Sequence, residues 1–311
     1  MKKLYAALSR YKFPVLAWFV LGFVFLSRPA FSEILSLPVE ASSMAEAPSP
    51  ALSRPEKQKR EPIHILLIGQ DRREDEPRSR SDCMIICSFQ PDDGKLTLTS
   101  FLRDLYVQIP GFGKNRLNAA YVFGGMPLIR QTFQENFGIP VTGCVEVDFN
   151  GFSQLVDLVD GVFLSLREDE ANHLNWEVPG GTLRAGMQHL NGQQALAYSR
   201  IRSLDEDGDF SRTDRQRKLL LALADRCKQS SVSDLLQLFR KASSMVSTDI
   251  RKGELLLLIR GIGPRLSRLE VSSQRIPAEG TYQHRIMDGM AVLVADLGKA
   301  RTSLQETIGI P

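Results

Sequence analysis

The chain has 311 residues, enough for one large domain or two small ones, with an ordinary globular share of hydrophobic (43%) and charged (24%) residues. Its 39 Lys and Arg against 36 Asp and Glu leave a net charge of +3, which excludes bulk affinity for nucleic acid. Anion recognition, if present, must come from a local cluster. The four cysteines (Cys83, Cys87, Cys144, Cys227) lack paired zinc-ligand spacing, and the four histidines are scattered. Cys83 and Cys87 flank an apolar run and would face one side of a strand, as small buried hydrophobes rather than a disulfide. Neither a Walker lysine loop nor a nucleophile-elbow serine is present.

In chain order, residues 1–12 form a short basic segment with Lys2, Lys3, Arg10 and Lys12. FPVLAWFVLGFVFLS follows, fifteen uncharged residues at 13–27, closed by Arg28 and Pro29. A spanning helix needs roughly 20 apolar residues. Residues 29–32 are also uncharged, and Arg28 can snorkel. No small-x-small cleavage site follows directly. A single signal anchor over 13–32 is therefore expected, its basic side in the cytoplasm and everything after residue 33 outside the cell membrane. Residues 33–61, rich in Ser, Pro, Ala and Glu and then charged, read as a disordered linker.

Order is expected from residue 62 to 311, as one extracellular domain. HILLIG, CMIICSF and KLTLTSFL are strand candidates, with PDDG as the turn between the last two. GGMPLIRQTFQENFG has helical spacing and stops at Gly138. CVEVDF reads as a strand. Asn150 is placed to cap a helix through GFSQLVDLVDG. VFLSL is a further strand, and Asn191 caps the short helix GQQALAYSR. A longer helix is expected from near Ser211 to about Cys227, then helical stretches at 233–246 and about 251–260. RLEVSSQRI and the Tyr282 region suggest a strand or hairpin, and 290–307 a last helix. Alternating strands and helices argue for an α/β fold: a three-layer α-β-α sandwich around a mixed central sheet.

Charged residues gather at the expected strand ends: Asp71 after HILLIG, Arg80 and Asp82 before CMIICSF, Arg103 and Asp104 after KLTLTSFL. If the first two strands run antiparallel, Asp71 and Asp82 share one sheet edge. In open α/β sheets ligands collect at such edges. Mg²⁺ takes one or two carboxylates together with substrate phosphate oxygens, and arginine matches phosphate with a planar fork of donors. Further along, YSRIRSLDEDGDFSRTDRQRK carries Arg200, Arg202, Arg212 and Gln216. On a helix, Arg212 and Gln216 share a face with Leu219, Leu220 and Leu223, so they point inward. A core-facing arginine needs a partner, and phosphate at a helix N-terminus is a natural one. Arg217, Lys218 and the acidic run 205–207 read as solvated, and Asp209 or Ser211 as a helix cap.

The segments ILLIGQDRR, RSDCMI, LTSFLRDLYVQIPGFG, RLNAAYVFGG, VDFNGFSQLVDLVDGV, LNGQQALAYSRIR and GDFSRTDRQR occur together and in order. On these segments the chain resembles the LytR-CpsA-Psr family of cell-envelope glycopolymer phosphotransferases over about residues 62–311. The resemblance implies a sandwich enclosing a hydrophobic pocket for a polyprenyl chain, with pyrophosphate and Mg²⁺ at its mouth. It implies Asp71 and Asp82 as Mg²⁺ ligands. It places Arg80, Arg103, Arg116, Arg200, Arg202, Arg212 and Gln216 on the pyrophosphate, with Asp71, Asp82 and Arg103 as the catalytic set. The implied partners are a polyprenyl-pyrophosphate-linked glycopolymer and a peptidoglycan acceptor. Cys83, Leu102 and Ser211 depart from the family's usual Thr, Pro and Gly, and loss of the proline is expected to loosen how Arg103 is presented. Two rival readings use the same arginines: a non-catalytic membrane-anchored binder of lipid-linked or anionic glycans, and a pyrophosphatase in which water replaces the sugar acceptor.

Overall fold

The computed structural model describes residues 60–70, 81–205, 208–227, 241–242, 244–250 and 270–310. Asp71, Arg80, the anchor segment 13–32, the linker to residue 59 and the helical stretch at about 251–260 lie outside them. Among the described residues no helix is long and apolar enough to cross a membrane.

The first three strand candidates all form: β1 (Ile63–Gln70), β2 (Ser81–Gln90) and β3 (Lys95–Phe101). β1 and β2 are antiparallel, with Gln70 opposite Ser81, so the chain leaves β1 and enters β2 at one edge of the sheet. Gly69 lies opposite Cys83, where an added Cβ would stand 2.9 Å from the Cys83 Cβ, so a side chain there would force these strands apart. CVEVDF lies in β6 (Val141–Asp148), which runs parallel to β1. β9 (Val246–Thr248) and β10 (Glu270–Ile276) complete a mixed six-stranded sheet in the order β10-β3-β2-β1-β6-β9.

Two helices cover one face of this sheet. Helix α1 (Ala119–Phe137) starts before the expected GGMPLIRQ segment, and the chain kinks where Gly125 takes φ 63° and Pro127 lacks an N–H. Gly138 ends it in the left-handed conformation. Helix α6 (Leu297–Ile308) starts after an Asp296 cap, because residues 290–295 form a strand instead of the expected helical turn. Leu66, Ile68, Met84, Ile86 and Phe101 of the sheet pack on Phe133, Phe137, Leu304 and Ile308 of these helices.

The opposite face meets α2 (Phe149–Leu158), α4 (Gly192–Arg200) and α5 (Gly208–Cys227). Asp148, not the expected Asn150, caps α2 through a 2.7 Å bond from the Gly151 N–H. Its short carboxylate stands one residue before the first helical turn, where an N-cap acceptor belongs. Asn191 caps α4 as expected, accepting from the Gln194 N–H. An added Cβ at Gly192 would strike the Ser153 carbonyl oxygen, so this glycine lets α4 approach α2. Val246 belongs to β9 and not to a helix, which corrects the end of the stretch read over 233–246; residues 233–240 and 243 of that stretch are not described.

Three hairpins and one helix complete the described fold. β4 (Tyr106–Ile109) pairs with β5 (Gly113–Arg116), and β7 (Val162–Leu166) with β8 (Gly186–Leu190). Helix α3 (Glu168–Glu177) follows β7. β11 (Tyr282–Met287) and β12 (Met290–Ala295) form the hairpin suggested near Tyr282. With helices on both faces of a mixed sheet, the architecture is the expected three-layer sandwich. Cys83, Cys87 and Cys144 are free thiols, and the first two sit in one apolar cluster.

Candidate functional site

Between the second face of the sheet and helices α2, α4 and α5 lies a cavity of about 560 Å³. Leu67, Ile85 and Val145 of the sheet form one wall, and Leu196, Leu219 and Leu223 of the helices another. Cys83 also lines it; burial pushes its thiol up to about 12, so it stays a neutral part of that wall. Asp82, Arg103, Arg200, Arg202, Arg212 and Gln216 line the same cavity. The chain thus places an apolar chamber and a charged cluster in one space.

Helix α5 explains this juxtaposition. Its cavity-facing stripe runs Arg212, Gln216, Leu219, Leu220, Leu223, the spacing of one helical face. The first turns therefore present polar groups and the later turns a leucine wall. Arg212 is only 2% exposed. Its Nη2 donates to the Asp82 carbonyl oxygen (3.3 Å) and to Asp209 Oδ2 (3.2 Å). Its Nε and Nη1 have no hydrogen-bond partner among the described residues. Burial lowers the Arg212 pKa; Asp209 works against that, and the neighbouring Arg103 and Arg202 add to it.

Arg103 follows β3 and lies at the centre of the cluster. Nη1 donates to Asp82 Oδ1 at 2.5 Å, and Nε to Asp209 Oδ2 at 3.3 Å. Burial disfavours its charge, but Asp209, Asp104 and Asp82 together raise its pKa. The backbone holds it firmly. Leu102, where the family usually has proline, donates its N–H to the Ile276 carbonyl at 3.0 Å, and the Arg103 carbonyl accepts from Asn118 N–H at 3.1 Å. A proline could not make the first bond, so the expected loosening of Arg103 is offset by an anchor to β10.

Arg202 Nε stands 3.6 Å from Asp209 Oδ1, and Arg200 lies over the Phe149 ring at 4.9 Å. The segment carrying both is fixed by Arg215, which donates to the Ile201 carbonyl (3.3 Å), to Glu170 (2.9 Å) and to Asp205. Arg116 does not line the cavity. It joins the cluster through Asp104, at 3.4 Å, which in turn lies 3.6 Å from Arg103 Nε.

Several residues differ from the sequence reading. Asp209, expected at most to cap a helix, is shared by Arg103, Arg202 and Arg212. The signal was present: α5 begins at Gly208, upstream of Ser211, which puts Asp209 three residues before Arg212 on the same helix. Arg217 is buried, not solvated, and pairs with Asp214. Asp205, in the run read as a wet face, pairs with the buried Arg215 and with Arg167. Lys218 is exposed, as read.

An apolar cavity whose lining also carries a buried, under-bonded guanidinium and further arginines suits an amphiphile with an anionic head. The chain belongs to the LytR_cpsA_psr family, whose model matches residues 36–307. It is 35% identical over 195 residues to an Enterococcus faecalis protein named polyisoprenyl-teichoic acid–peptidoglycan teichoic acid transferase TagU; the match spans 61% of this chain and 62% of that one. Among solved structures it resembles TagT bound to LIIa-WTA (27% identity, TM-score 0.66), covering 81% of this chain and 92% of that one. It also resembles the family protein YwtF (TagT) with bound octaprenyl pyrophosphate lipid (25% identity, TM-score 0.58), covering 81% and 92%.

Proposed function

We propose that this protein moves a glycopolymer from a polyprenyl-pyrophosphate carrier onto peptidoglycan, with the cavity holding the lipid and the arginine cluster holding the pyrophosphate. The observation that carries the reading is Arg212, buried in the lining of the cavity with Nε and Nη1 unbonded among the described residues. A buried donor without an acceptor costs about 1–3 kcal/mol, and phosphate oxygens at this point would satisfy both groups. The TagU name and the lipid-bound TagT structure support the same chemistry.

In the transfer, an acceptor sugar hydroxyl oxygen bonds to the phosphorus that carries the polymer. The bond from that phosphorus to the bridging oxygen breaks, and its electron pair leaves with polyprenyl phosphate. The hydroxyl proton passes to a carboxylate, which we assign to Asp71 or Asp82. Arg103, Arg200, Arg202 and Arg212 stabilise the charge that spreads over the phosphoryl oxygens, and Gln216 stands beside them. Arg116 acts at one remove, holding Asp104 against Arg103. The Asp82 carboxylate, a hard oxygen beside Arg103, is the donor type that Mg²⁺ prefers, and Asp71, outside the described residues, is the second ligand that the family resemblance implies. When bound there, Mg²⁺ would neutralise pyrophosphate charge. Residues 13–32 would hold the domain outside the cell membrane, near its lipid-linked donor.

The test is incubation with lipid-linked glycopolymer, with and without peptidoglycan and Mg²⁺. Release of polyprenyl phosphate that depends on both additions is expected. Release without acceptor would make the protein a pyrophosphatase, and binding without release would make it a non-catalytic glycan binder.

A further inference from the structure

Three guanidiniums converge on one carboxylate. Asp209 Oδ2 stands 3.3 Å from Arg103 Nε and 3.2 Å from Arg212 Nη2, and Asp209 Oδ1 stands 3.6 Å from Arg202 Nε. All three arginines line the main cavity, whereas Asp209 lines a second one of about 410 Å³, together with Asp104, His284 and Arg285. Its side chain is 23% exposed, so the carboxylate is both paired and in contact with water. The main cavity holds two carboxylates of its own: Asp82, bound to Arg103 Nη1, and Asp148, which caps α2.

Guanidiniums this close repel one another. Burial lowers the Arg212 pKa, and Arg103 and Arg202 lower it further; of the groups that raise it, Asp209 acts most strongly. Burial also disfavours the charge on Arg103, and there too Asp209 is the strongest opposing group. Helix geometry fixes the position of this carboxylate. Asp209 lies in the first turn of α5, three residues before Arg212, where the helix dipole favours a negative charge.

We infer that Asp209 is a positioning residue for the transfer: an internal counter-ion that holds Arg103, Arg202 and Arg212 together before lipid binds, and competes with pyrophosphate for them afterwards. The inference rests on the reading of these arginines as the pyrophosphate site. Phosphate oxygens accept from the same N–H donors, so each anion weakens the other's hold. Two consequences follow for turnover. The guanidiniums are aligned in advance, which leaves little ordering to the chemical step. After transfer, the phosphate on the polyprenyl chain faces arginines that already have a carboxylate, which speeds its release.

Asp209→Asn keeps the side-chain shape and one acceptor oxygen but removes the charge, and Asp209→Glu keeps the charge. The probe is inorganic pyrophosphate, titrated onto the full chain by calorimetry at temperatures where denaturation shows each variant folded; the transfer assay follows. Asp209→Asn is expected to bind pyrophosphate about tenfold more tightly than the wild type. It should lower both the KM for the lipid-linked donor and kcat by about tenfold, and Asp209→Glu should move both back towards the wild type. A brace with no competing role would give the opposite split, so weaker pyrophosphate binding by Asp209→Asn overturns the inference. Equal binding by the wild type and Asp209→Asn, with transfer intact, overturns it too and leaves the transferase reading standing. Tighter binding by Asp209→Asn, in a wild-type protein that never transfers, supports the counter-ion and overturns the transferase reading. Absence of pyrophosphate binding in both proteins overturns the counter-ion.

Discussion

The two faces of the central sheet show the same kind of strand put to two uses. On the α1/α6 face, Phe101 meets Phe133 at 4.7 Å and Phe137 at 4.9 Å, and these rings are buried between strand and helix. On the α2/α4/α5 face, Leu67, Ile85 and Val145 look onto Leu196, Leu219 and Leu223 across a cavity of about 560 Å³. Both faces are built of apolar residues. What differs is side-chain volume and the helix that answers it: large rings close one interface, whereas aliphatic chains on α5 give way to Arg212 and Gln216 at the other. Composition alone would call both faces core; the charged first turns of α5 set the second apart.

Substitutions on each face should separate stability from function. Phe133→Ala empties the packed face and is expected to cost about 3–5 kcal/mol of stability, read by chemical denaturation. At temperatures where the variant stays folded, its lipid affinity should be unchanged. A loss of lipid affinity larger than the loss of stability would erase the distinction between the faces. Arg103→Ala, in the cavity lining of the open face, is expected to lower the transfer rate by about 10²–10³-fold, and Asp71→Ala to abolish polymer attachment. Arg103→Ala also removes the part-buried ion pairs with Asp82 and Asp209, so its rate is compared with the wild type's at temperatures where denaturation shows the variant folded. Full activity in either variant would remove that residue from the mechanism.

Much of this division could be read in the sequence. HILLIG, CMIICSF and KLTLTSF are short apolar runs between turn signals, and they form β1, β2 and β3. The inward face Arg212–Gln216–Leu219–Leu223 followed from helical spacing and lines the cavity. Other parts were hidden for physical reasons. GKNR of β5 and GMQHL of β8 carry little apolar periodicity because most of their side chains face solvent. Helix α3, EDEANHLNWE, buries only Glu170, Ala171 and Leu174. Asp209 was obscured by its acidic neighbours: a charge run conceals which member turns inward until the helix start is known. Likewise Arg217 looked solvated beside Lys218, yet burial and Asp214 hold it inside.

The most direct measurement is mass spectrometry of lipid retained by the purified full chain after loading with polyprenyl pyrophosphate. Leu223→Trp fills the open face without touching the arginine cluster, so the wild type should retain one lipid per chain and this variant about tenfold less. Equal retention by both proteins would place the lipid elsewhere and contradict the reading of the cavity as its seat.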